Sequence, residues 1–309
     1  MQFTELTNVS PEIIRATQAM GFTDMTEIQE KAIPLMLAGH DMIAKAPTGT
    51  GKTVAFGIPI LQKAAGFPAG APKAVVLSPT RELAQQIAQD LTNLAQFLPE
   101  IRVVCVYGGA GLEKQQKQLK AGCQIVVATP GRLMDHYRHH AIDVSDVETV
   151  VLDEADEMLN MGFQEDLDFI LSNTPKDKNT YLFSATMPKE VERIARNYLV
   201  NQKEISVGKK NQGADTVSHQ YYMVRAKDCY ETLRRIVDCA PSMYAIIFTR
   251  TKNDAQDIAK HLQRDGIDCD ALHGDLSQAQ RDNVMNAFRA KRLKVLVATD
   301  VAARGLDVD

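Results

Sequence analysis

The stretch Ala46–Thr53, which reads Ala-Pro-Thr-Gly-Thr-Gly-Lys-Thr, has the residue types of a phosphate-binding loop. It follows a short apolar run and precedes an amphipathic segment, so it lies between a strand and a helix. Gly49 and Gly51 allow a tight turn in which successive N–H groups point at phosphate oxygens. Lys52 can reach the β- and γ-phosphates, and the Thr53 hydroxyl can hold Mg²⁺. The pattern predicts a nucleotide site, and a glycine-rich strand-to-helix turn is the alternative.

A second group of chemically capable residues, Asp153-Glu154-Ala155-Asp156, follows the apolar run Thr149–Leu152. Ligands of parallel sheets bind at the carboxyl ends of the strands, so this acidic pair is expected beside the phosphate loop. Asp153 is then placed to hold Mg²⁺, and Glu154 to polarise the attacking water. Taken alone, the tetrapeptide also fits an acidic helix start. In a chain that carries the Gly-Lys-Thr loop, the catalytic interpretation is favoured.

The elements that must position these residues follow from the hydrophobic pattern. From residue 41 onward, short β-rich apolar runs alternate with segments of helical period. The runs are 41–44, 74–77, 102–107, 124–128, 149–152, 180–184 and 204–207. Continuous rather than alternating hydrophobicity is typical of strands that are buried on both faces of a parallel sheet. The predicted fold class is therefore α/β.

The alternation is interrupted once, at the polar residues 208–216, where a linker is predicted. Beyond it, strands are predicted at 217–224, 243–248, 269–272 and 293–298, separated by helices at 228–239, 252–264 and 277–290. The predicted domains are therefore 1–207 and 217–309. The chain ends directly after a strand and a loop, so the second domain is expected to be incomplete at its C-terminal end.

Length and composition set broader limits. The 309 residues suit two domains of ordinary size. The formal net charge of −4 argues mildly against a broad basic surface for nucleic acid, but not against a groove of backbone N–H groups and a few arginines. There is no N-terminal signal and no apolar run long enough to cross a bilayer, so a cytoplasmic protein without a membrane partner is predicted.

Cysteines and histidines give no metal pattern. The five cysteines form no CxxC pair and no zinc spacing, and they are interpreted as reduced packing residues. His136, His139 and His140 end a predicted helix near Arg132 and Arg138. A metal site there would need carboxylate or thiol partners, so a solvated helix end is the preferred interpretation.

Further motifs follow in order along the chain, and with them it resembles a DEAD-box RNA helicase of superfamily 2. The resemblance covers the whole chain and implies two RecA-like domains that bind ATP-Mg²⁺ and RNA across their cleft. Its motifs are Thr26–Gln29, Ala46–Thr53, Pro79–Ala84, Gly108-Gly109, Thr129–Arg132, Asp153–Asp156, Ser184–Thr186, Ile246–Arg250, His273–Asp275 and Thr299–Asp307.

The resemblance implies ATP and Mg²⁺ as cofactors. Gln29 would bond the adenine edge through its side-chain amide, and Phe3 would stack on the ring. Met25 stands where the family usually has proline. The nucleotide-binding residues implied are Phe3, Phe22, Thr26, Gln29, Ala46, Thr48, Gly49, Thr50, Gly51, Lys52, Thr53, Gly305 and Asp307. Lys52, Asp153 and Glu154 would be catalytic, with Thr53 and Asp153 on the metal.

RNA is the second ligand that the resemblance implies, single-stranded or partly duplex. The residues concerned are Pro79, Thr80, Arg81, Gly108, Gly109, Thr129, Gly131, Arg132, Thr249, Arg250, Gly274 and Thr299. Several follow a strand and open a helix, where free N–H groups, hydroxyls and arginines can meet phosphates; each alone also fits an ordinary turn. Contacts to the backbone predict sequence-independent binding, with 2′-hydroxyls distinguishing RNA from DNA.

Two further expectations concern the catalytic cycle. Ser184-Ala185-Thr186 resembles motif III, which in the family couples Asp156 to RNA binding and domain closure; a helix cap is the alternative. The family continues with a sixth motif whose arginine acts on the γ-phosphate, and the chain ends before it. Loss of such an arginine costs on the order of 10³–10⁵ in rate, so residues 1–309 alone are expected to be weakly active or inactive.

The leading functional hypothesis is an RNA-stimulated ATPase that unwinds short RNA duplexes locally. A non-catalytic RNA-binding module or ATP-gated clamp is the first alternative, and RNA-stimulated turnover would reject it. A DNA translocase of the same superfamily is the second, and stimulation by DNA as strong as that by RNA would favour it. Protein partners and the cellular pathway are not indicated by the sequence.

Overall fold

The computed structural model describes residues 1–208, 218–240 and 242–299, and the chain divides into two compact units, Met1–Gln212 and Gly213–Asp309. Helices and strands alternate through both, which confirms the predicted α/β class. The described strands of the first unit are β1 Met42–Lys45, β2 Ala74–Leu77, β3 Val103–Val106, β4 Ile125–Ala128, β5 Thr149–Leu152, β6 Asn179–Ser184 and β7 Lys203–Ser206. Its described α-helices are α1 Pro11–Ala19, α2 Glu27–Leu37, α3 Lys52–Ala64, α4 Arg81–Leu94, α5 Leu112–Lys120, α6 Pro130–Arg138, α7 Ala155–Asn160, α8 Gln164–Asn173 and α9 Lys189–Tyr198.

The strands of the first unit form one parallel sheet in the order β3-β4-β2-β5-β6-β1-β7. Successive side chains of a strand point to opposite faces, and here both faces are covered by helices. Val76 packs into the apolar cluster formed with α2, α3 and α4, whereas its neighbour Val75 packs into the cluster formed with α6, α8 and α9. This burial on two sides is why the strands read as continuous apolar runs.

The second unit contains, among its described residues, α10 Cys229–Asp238, β8 Ala245–Thr249, α11 Lys252–Arg264, β9 Cys269–Leu272, α12 Gln278–Arg289 and β10 Val295–Thr299. Its strands pair in parallel in the order β8-β10-β9. Local sequence sets the ends of its helices: Thr251 caps α11 by accepting from Asp254 N at 3.1 Å, and Ser277 forms a capping box with Gln280 at the start of α12.

The strand predicted at 217–224 is not formed over its described residues, 218–224. Tyr221 and Met223, which would belong to an apolar strand, are 87% and 92% exposed. A strand needs a ladder partner for its N–H and C=O groups, and the part of the chain that the structure describes pairs no strand with this segment. The alternation of residue types alone therefore gave a wrong prediction here.

Two smaller expectations also change. Cys123 and Cys269 are buried and Cys105 is partly buried, as packing residues should be, but Cys229 and Cys239 at the ends of α10 are exposed. His136, expected at a solvated helix end, is fully buried because α6 turns that side toward α5.

No helix in the described ranges is long and apolar enough to cross a membrane.

Candidate functional site

The phosphate loop connects the end of β1, which lies between β6 and the edge strand β7 of the first unit's sheet, to the start of α3. Gly49 and Gly51 adopt φ values of +74° and +86°, the left-handed region that favours glycine. Helix α3 begins at Lys52, so its free N-terminal N–H groups face the inside of the loop. Thr50 Oγ1 donates to Pro47 O at 2.9 Å and closes the turn. The backbone has the shape of an anion cradle.

Residues of the Thr26–Gln29 motif hold this loop from the side. Thr26 Oγ1 donates to Thr50 O at 2.8 Å, and Gln29 Nε2 donates to Gly51 O at 3.0 Å. Gln29 Oε1 accepts from Thr26 N at 2.9 Å, which also forms the capping box of α2. A Cβ atom on Gly51 would lie 2.5 Å from Gln29 Nε2, so only glycine fits this contact. Thr26 and Gln29 therefore form part of the loop's support.

The two predicted aromatic residues differ in exposure. The Phe3 ring is 1% exposed and belongs to the apolar core, whereas the Phe22 ring is 39% exposed. A ring buried on both faces has no surface on which a base can stack, which corrects the stacking role expected for Phe3. Phe22 carries the available ring, and Phe3 supports the segment from the core.

Lys52, Asp153 and Glu154 meet at the carboxyl ends of β1 and β5. Lys52 Nζ lies 3.4 Å from Asp153 Oδ1 and 3.9 Å from Glu154 Oε1. The Lys52 and Asp153 side chains are only 6% and 3% exposed. Within the residues that the structure describes, this buried ammonium group makes no hydrogen bond. A buried cation with unused donors, beside a glycine cradle and two carboxylates, suits a phosphate carried with a divalent metal.

Glu154 is unusual in its backbone conformation and in the pKa of its carboxyl group. Its φ of +54° is left-handed, a conformation that costs free energy for a residue with a side chain and is often found at functional sites. Burial, reinforced by the negative charge of Asp153 and opposed by Lys52, raises the pKa of Glu154 to about 7. A carboxyl group that titrates near neutrality is matched to proton transfer.

The three residues predicted to couple the site form one hydrogen-bonded group between β6 and α7. Asp156 Oδ2 accepts from Thr186 N at 2.9 Å and from Thr186 Oγ1 at 2.7 Å. Asp156 N donates to Ser184 Oγ at 3.3 Å, and Ser184 Oγ donates to Thr186 O at 2.7 Å. The acidic segment and the segment after β6 are therefore linked directly, two residues from Glu154.

Replacing Thr186 with valine should weaken this link while keeping its shape. The backbone bond to Asp156 remains, but the hydroxyl bond is lost. The RNA-stimulated ATP hydrolysis that the family resemblance implies should therefore fall about three- to tenfold, the equivalent of about one hydrogen bond. Steady-state ATPase assays at saturating RNA measure this, and nucleotide affinity should not change. Thr186→Ser keeps the hydroxyl and is the matched control. Equal rates for both variants would show that the hydroxyl is not involved.

The predicted RNA-binding residues of the first unit lie at the carboxyl ends of the neighbouring strands β3, β4 and β2. Thr80 Oγ1 accepts from Leu83 N at 3.3 Å and caps α4, and Thr129 stands before α6. Pro79 and Gly131 lie beside them in the same segments. We call residues Tyr107–Ala110 after β3 the doublet loop, because it contains Gly108 and Gly109.

Two arginines flank the doublet loop. Gly109 has φ +87°, and a Cβ atom on it would lie 2.3 Å from Arg81 Nη1, so the guanidinium group packs directly on its backbone. Arg132 Nη1 donates to Ala110 O at 3.1 Å from the other side. The loop thus lies between two cationic groups at the edge of the sheet, an arrangement suited to a phosphate backbone.

The candidate residues of the second unit gather at the carboxyl ends of its own sheet. Thr249 and Thr299 are paired in register at the ends of β8 and β10, and Thr249 Oγ1 donates to Ala298 O at 3.3 Å. Arg250 and Gly274 are exposed in the loops after β8 and β9. Gly305 and Asp307 lie outside the described residues.

Sequence reasoning missed Gln115 and His136, which form a buried polar cluster with Arg132. The signal was present: Leu112, Gln115 and Leu119 recur at the spacing of one helix face, and a glutamine within such a leucine stripe indicates a buried amide. In the described part of the chain, no group of three His, Cys, Asp or Glu side chains is arranged to hold a metal by itself.

The chain is similar to known proteins over nearly its whole length. The family model described as DEAD/DEAH box helicase matches residues 26–194, and that described as helicase conserved C-terminal domain matches residues 228–309. The DEAD-box ATP-dependent RNA helicase CshA of Streptococcus pneumoniae is 43% identical over 308 residues, covering 100% of this chain and 58% of that protein. CshA of Bacillus subtilis is 42% identical over 301 residues, covering 97% of this chain and 60% of that protein.

Solved structures show the same likeness. A DEAD box protein of Methanococcus jannaschii is 38% identical with a TM-score of 0.61, covering 100% of this chain and 83% of that chain. Dbp5 of S. cerevisiae bound to RNA and ADP BeF3 is 31% identical with a TM-score of 0.89, covering 99% of this chain and 78% of that chain. The chain spans less than two thirds of the length of the CshA relatives.

Proposed function

The chain belongs to the DEAD/DEAH box helicase family, and from this premise we propose that it is the core of an ATP-dependent RNA helicase. It would bind ATP and RNA and couple ATP hydrolysis to local separation of short RNA duplexes. The observation that carries the proposal is the buried Lys52 ammonium group without a hydrogen bond beside Asp153, Glu154 and the glycine cradle. CshA relatives named as RNA helicases, and Dbp5 bound to RNA, support the choice of nucleic acid.

In the proposed reaction, the phosphate loop receives the triphosphate. Backbone N–H groups at the start of α3 bind phosphate oxygens, and Lys52 neutralises charge on the β- and γ-phosphates. The Thr53 hydroxyl and the Asp153 carboxylate would hold Mg²⁺, which when bound supplies further charge neutralisation to the phosphates. Glu154 orients the attacking water and accepts its proton, a role that its raised pKa fits.

The nucleotide base is proposed to lie beside the segment before α2. Phe22 offers the exposed ring on which adenine can stack. Gln29 already uses one donor and one acceptor on the protein, and its amide retains one further donor and one lone pair for the adenine edge. The same side chain would thus contact both the base and the phosphate loop.

RNA is proposed to bind along Pro79–Arg81, the doublet loop and Thr129–Arg132 on the first unit. Thr249, Arg250, Gly274 and Thr299 are its proposed contacts on the second. Coupling is proposed to pass through Asp156, Ser184 and Thr186, whose hydrogen bonds join the acidic segment to β6. Because these contacts are to phosphates and sugars, binding should be largely independent of base sequence.

The first experiment is steady-state ATP hydrolysis by the full-length protein with Mg²⁺, with and without single-stranded RNA or DNA. RNA-stimulated turnover supports the helicase. ATP and RNA binding without turnover would instead support an ATP-gated clamp, and equal stimulation by DNA would support a translocase. Residues 1–309 assayed alongside test the low activity expected above for this range alone.

Gln29→Glu tests the support of the phosphate loop by Gln29. The carboxylate can accept from Thr26 N but cannot donate to Gly51 O, and it places a charge at a position only 4% exposed. We expect ATP binding to weaken by about 1–3 kcal/mol, measured by titration with a fluorescent ATP analogue. Gln18→Glu makes the same change at an exposed position of α1 and should bind as before. Unchanged affinity in Gln29→Glu would contradict the supporting role.

A further inference from the structure

A buried polar cluster behind the doublet loop joins α5 to α6. Gln115 Oε1 accepts hydrogen bonds from Arg132 Nη1 at 3.1 Å and from His136 Nε2 at 2.9 Å. Gln115 Nε2 donates to Tyr107 O at 3.0 Å, and Arg132 Nη1 donates to Ala110 O at 3.1 Å. The cluster therefore holds the doublet loop at both ends.

The partners determine how each group is oriented. Tyr107 O can only accept a hydrogen bond, so Gln115 must direct its amide nitrogen there and its oxygen toward Arg132 and His136. Since that oxygen also only accepts, His136 must carry a proton on Nε2. Burial, reinforced by the charge of Arg132, lowers the pKa of His136 to about 4, so the neutral donor persists at physiological pH.

The solvent exposure of the three side chains in this cluster shows that one of them can contact a ligand and two cannot. Gln115 is 4% exposed and His136 is 0% exposed, whereas 12% of the Arg132 side chain remains accessible. The hydrogen bonds of Arg132 use Nη1, and its Nε, which makes no hydrogen bond in the described ranges, lies 3.8 Å from Asp135 Oδ2. Nη2 is the group left to meet a phosphate.

We propose that Gln115 and His136 are positioning residues for RNA binding, which hold Arg132 and the doublet loop in the geometry that receives the phosphate backbone. This inference rests on the proposed function, because Arg132 is assigned there to RNA. His136 acts through Gln115, and Gln115 acts through Arg132 and the loop carbonyl of Tyr107. An arginine already fixed by two acceptors loses little side-chain freedom when RNA binds, and RNA affinity is higher for that reason.

A double-mutant cycle on RNA affinity tests the proposal in the full-length protein. Dissociation constants for a fluorescein-labelled oligouridine are measured by anisotropy, with Mg²⁺ and a non-hydrolysable ATP analogue, for Gln115→Ala, Arg132→Ala and both together. We expect Gln115→Ala to weaken binding about three- to tenfold, as for one lost hydrogen bond. In the Arg132→Ala background the same change should have a smaller effect, because only the contribution through the carbonyl of Tyr107 remains. Gln118→Ala, at an exposed position of α5, is the matched control and should bind as before.

A second pair of variants tests His136. His136→Gln keeps an N–H donor near the position of Nε2, and His136→Phe keeps the volume of the ring without a donor. We expect the first to bind RNA within about twofold of the unchanged protein and the second to lose about as much as Gln115→Ala. Thermal melting and ATP-analogue affinity are measured for every variant, and a folded protein with unchanged ATP affinity is expected throughout.

The outcomes separate this inference from the proposed function. If Gln115→Ala weakens RNA binding equally in both backgrounds, Gln115 does not act through Arg132, and the inference is wrong while the RNA site stands. If Gln115→Ala lowers the melting temperature but not the RNA affinity, its role is only structural, and the inference is again wrong. If Arg132→Ala itself leaves RNA affinity unchanged, the proposed RNA site fails at this residue, and the inference fails with it.

Discussion

Replacing Glu154 with glutamine is expected to lower RNA-stimulated ATP hydrolysis by about 10²–10⁴-fold, because the amide cannot accept the proton of the attacking water. Glutamine has nearly the same shape, so the left-handed backbone at residue 154 is equally strained in both proteins. ATP binding should therefore be retained, and single-turnover hydrolysis with a separate binding titration measures the two effects. Glu157→Gln, three residues away on α7, is the matched control and should hydrolyse ATP normally. A small loss in Glu154→Gln would exclude Glu154 as the base.

The raised pKa of Glu154 has two consequences for pH. The base must be ionised to accept a proton, so kcat/KM for ATP, which reports the ionisation of the nucleotide-free protein, should rise with pH through about 7 in the wild type. Stability should change in the opposite direction: a carboxyl group whose pKa is higher in the folded state stabilises the nucleotide-free protein at low pH. This contribution is lost as pH rises from the unfolded value near 4.5 through about 7. Melting temperatures of the wild type and of Glu154→Gln should therefore be similar at low pH and diverge across this range as pH increases, with the wild type becoming the less stable.

Lys52→Met is expected to have the second large effect. Without the ammonium group the triphosphate loses its fixed counter-charge, and ATP hydrolysis should fall by about 10²–10³-fold or more. Asp153 would also lose its closest cation while only 2% exposed. The nucleotide-free protein should therefore be destabilised by about 3 kcal/mol, the lower end for breaking a buried ion pair, because the 3.4 Å contact is not a hydrogen bond.

The double variant Lys52→Met with Asp153→Asn separates the two roles of Lys52. Neutralising Asp153 removes the uncompensated charge, so denaturant unfolding should show most of the lost stability restored. Hydrolysis should stay as low as in Lys52→Met, because neither change returns a cation to the phosphates. If stability were not restored, the buried carboxylate would not be the cause of its loss.

Much of the fold could be predicted because its strands are buried on both faces. Continuous apolar runs such as Thr149–Leu152 occur where a parallel sheet is covered twice, and the structure has a strand with these bounds there. Residues 218–224 show the limit of this reasoning. They have strand-like residue types, but a strand also depends on a partner that local sequence does not specify.

The candidate site could be predicted where its chemistry permits only a few residue types. It was less predictable where tertiary packing determines whether a side chain is buried. Glycines at 49 and 51, followed by Lys52, gave the phosphate loop because few other residues permit its left-handed turns. The burial of Phe3 and His136 depends on which helix packs on which, which no local pattern encodes. Gln115, which lies between Leu112 and Leu119 on α5, was the one local sign in the sequence of the polar cluster around Arg132.

The position of β1 within the sheet has a consequence for protein synthesis. The strand that leads into the phosphate loop pairs with β6 and β7, which are formed by Asn179–Ser184 and Lys203–Ser206. At ribosomal rates of about 5–20 residues per second, these neighbours are made on the order of ten seconds after the loop itself. Until then the loop has neither flanking strand, so a nascent chain should not retain ATP. Nucleotide binding is therefore expected to be among the last properties that the first unit acquires as it emerges from the ribosome.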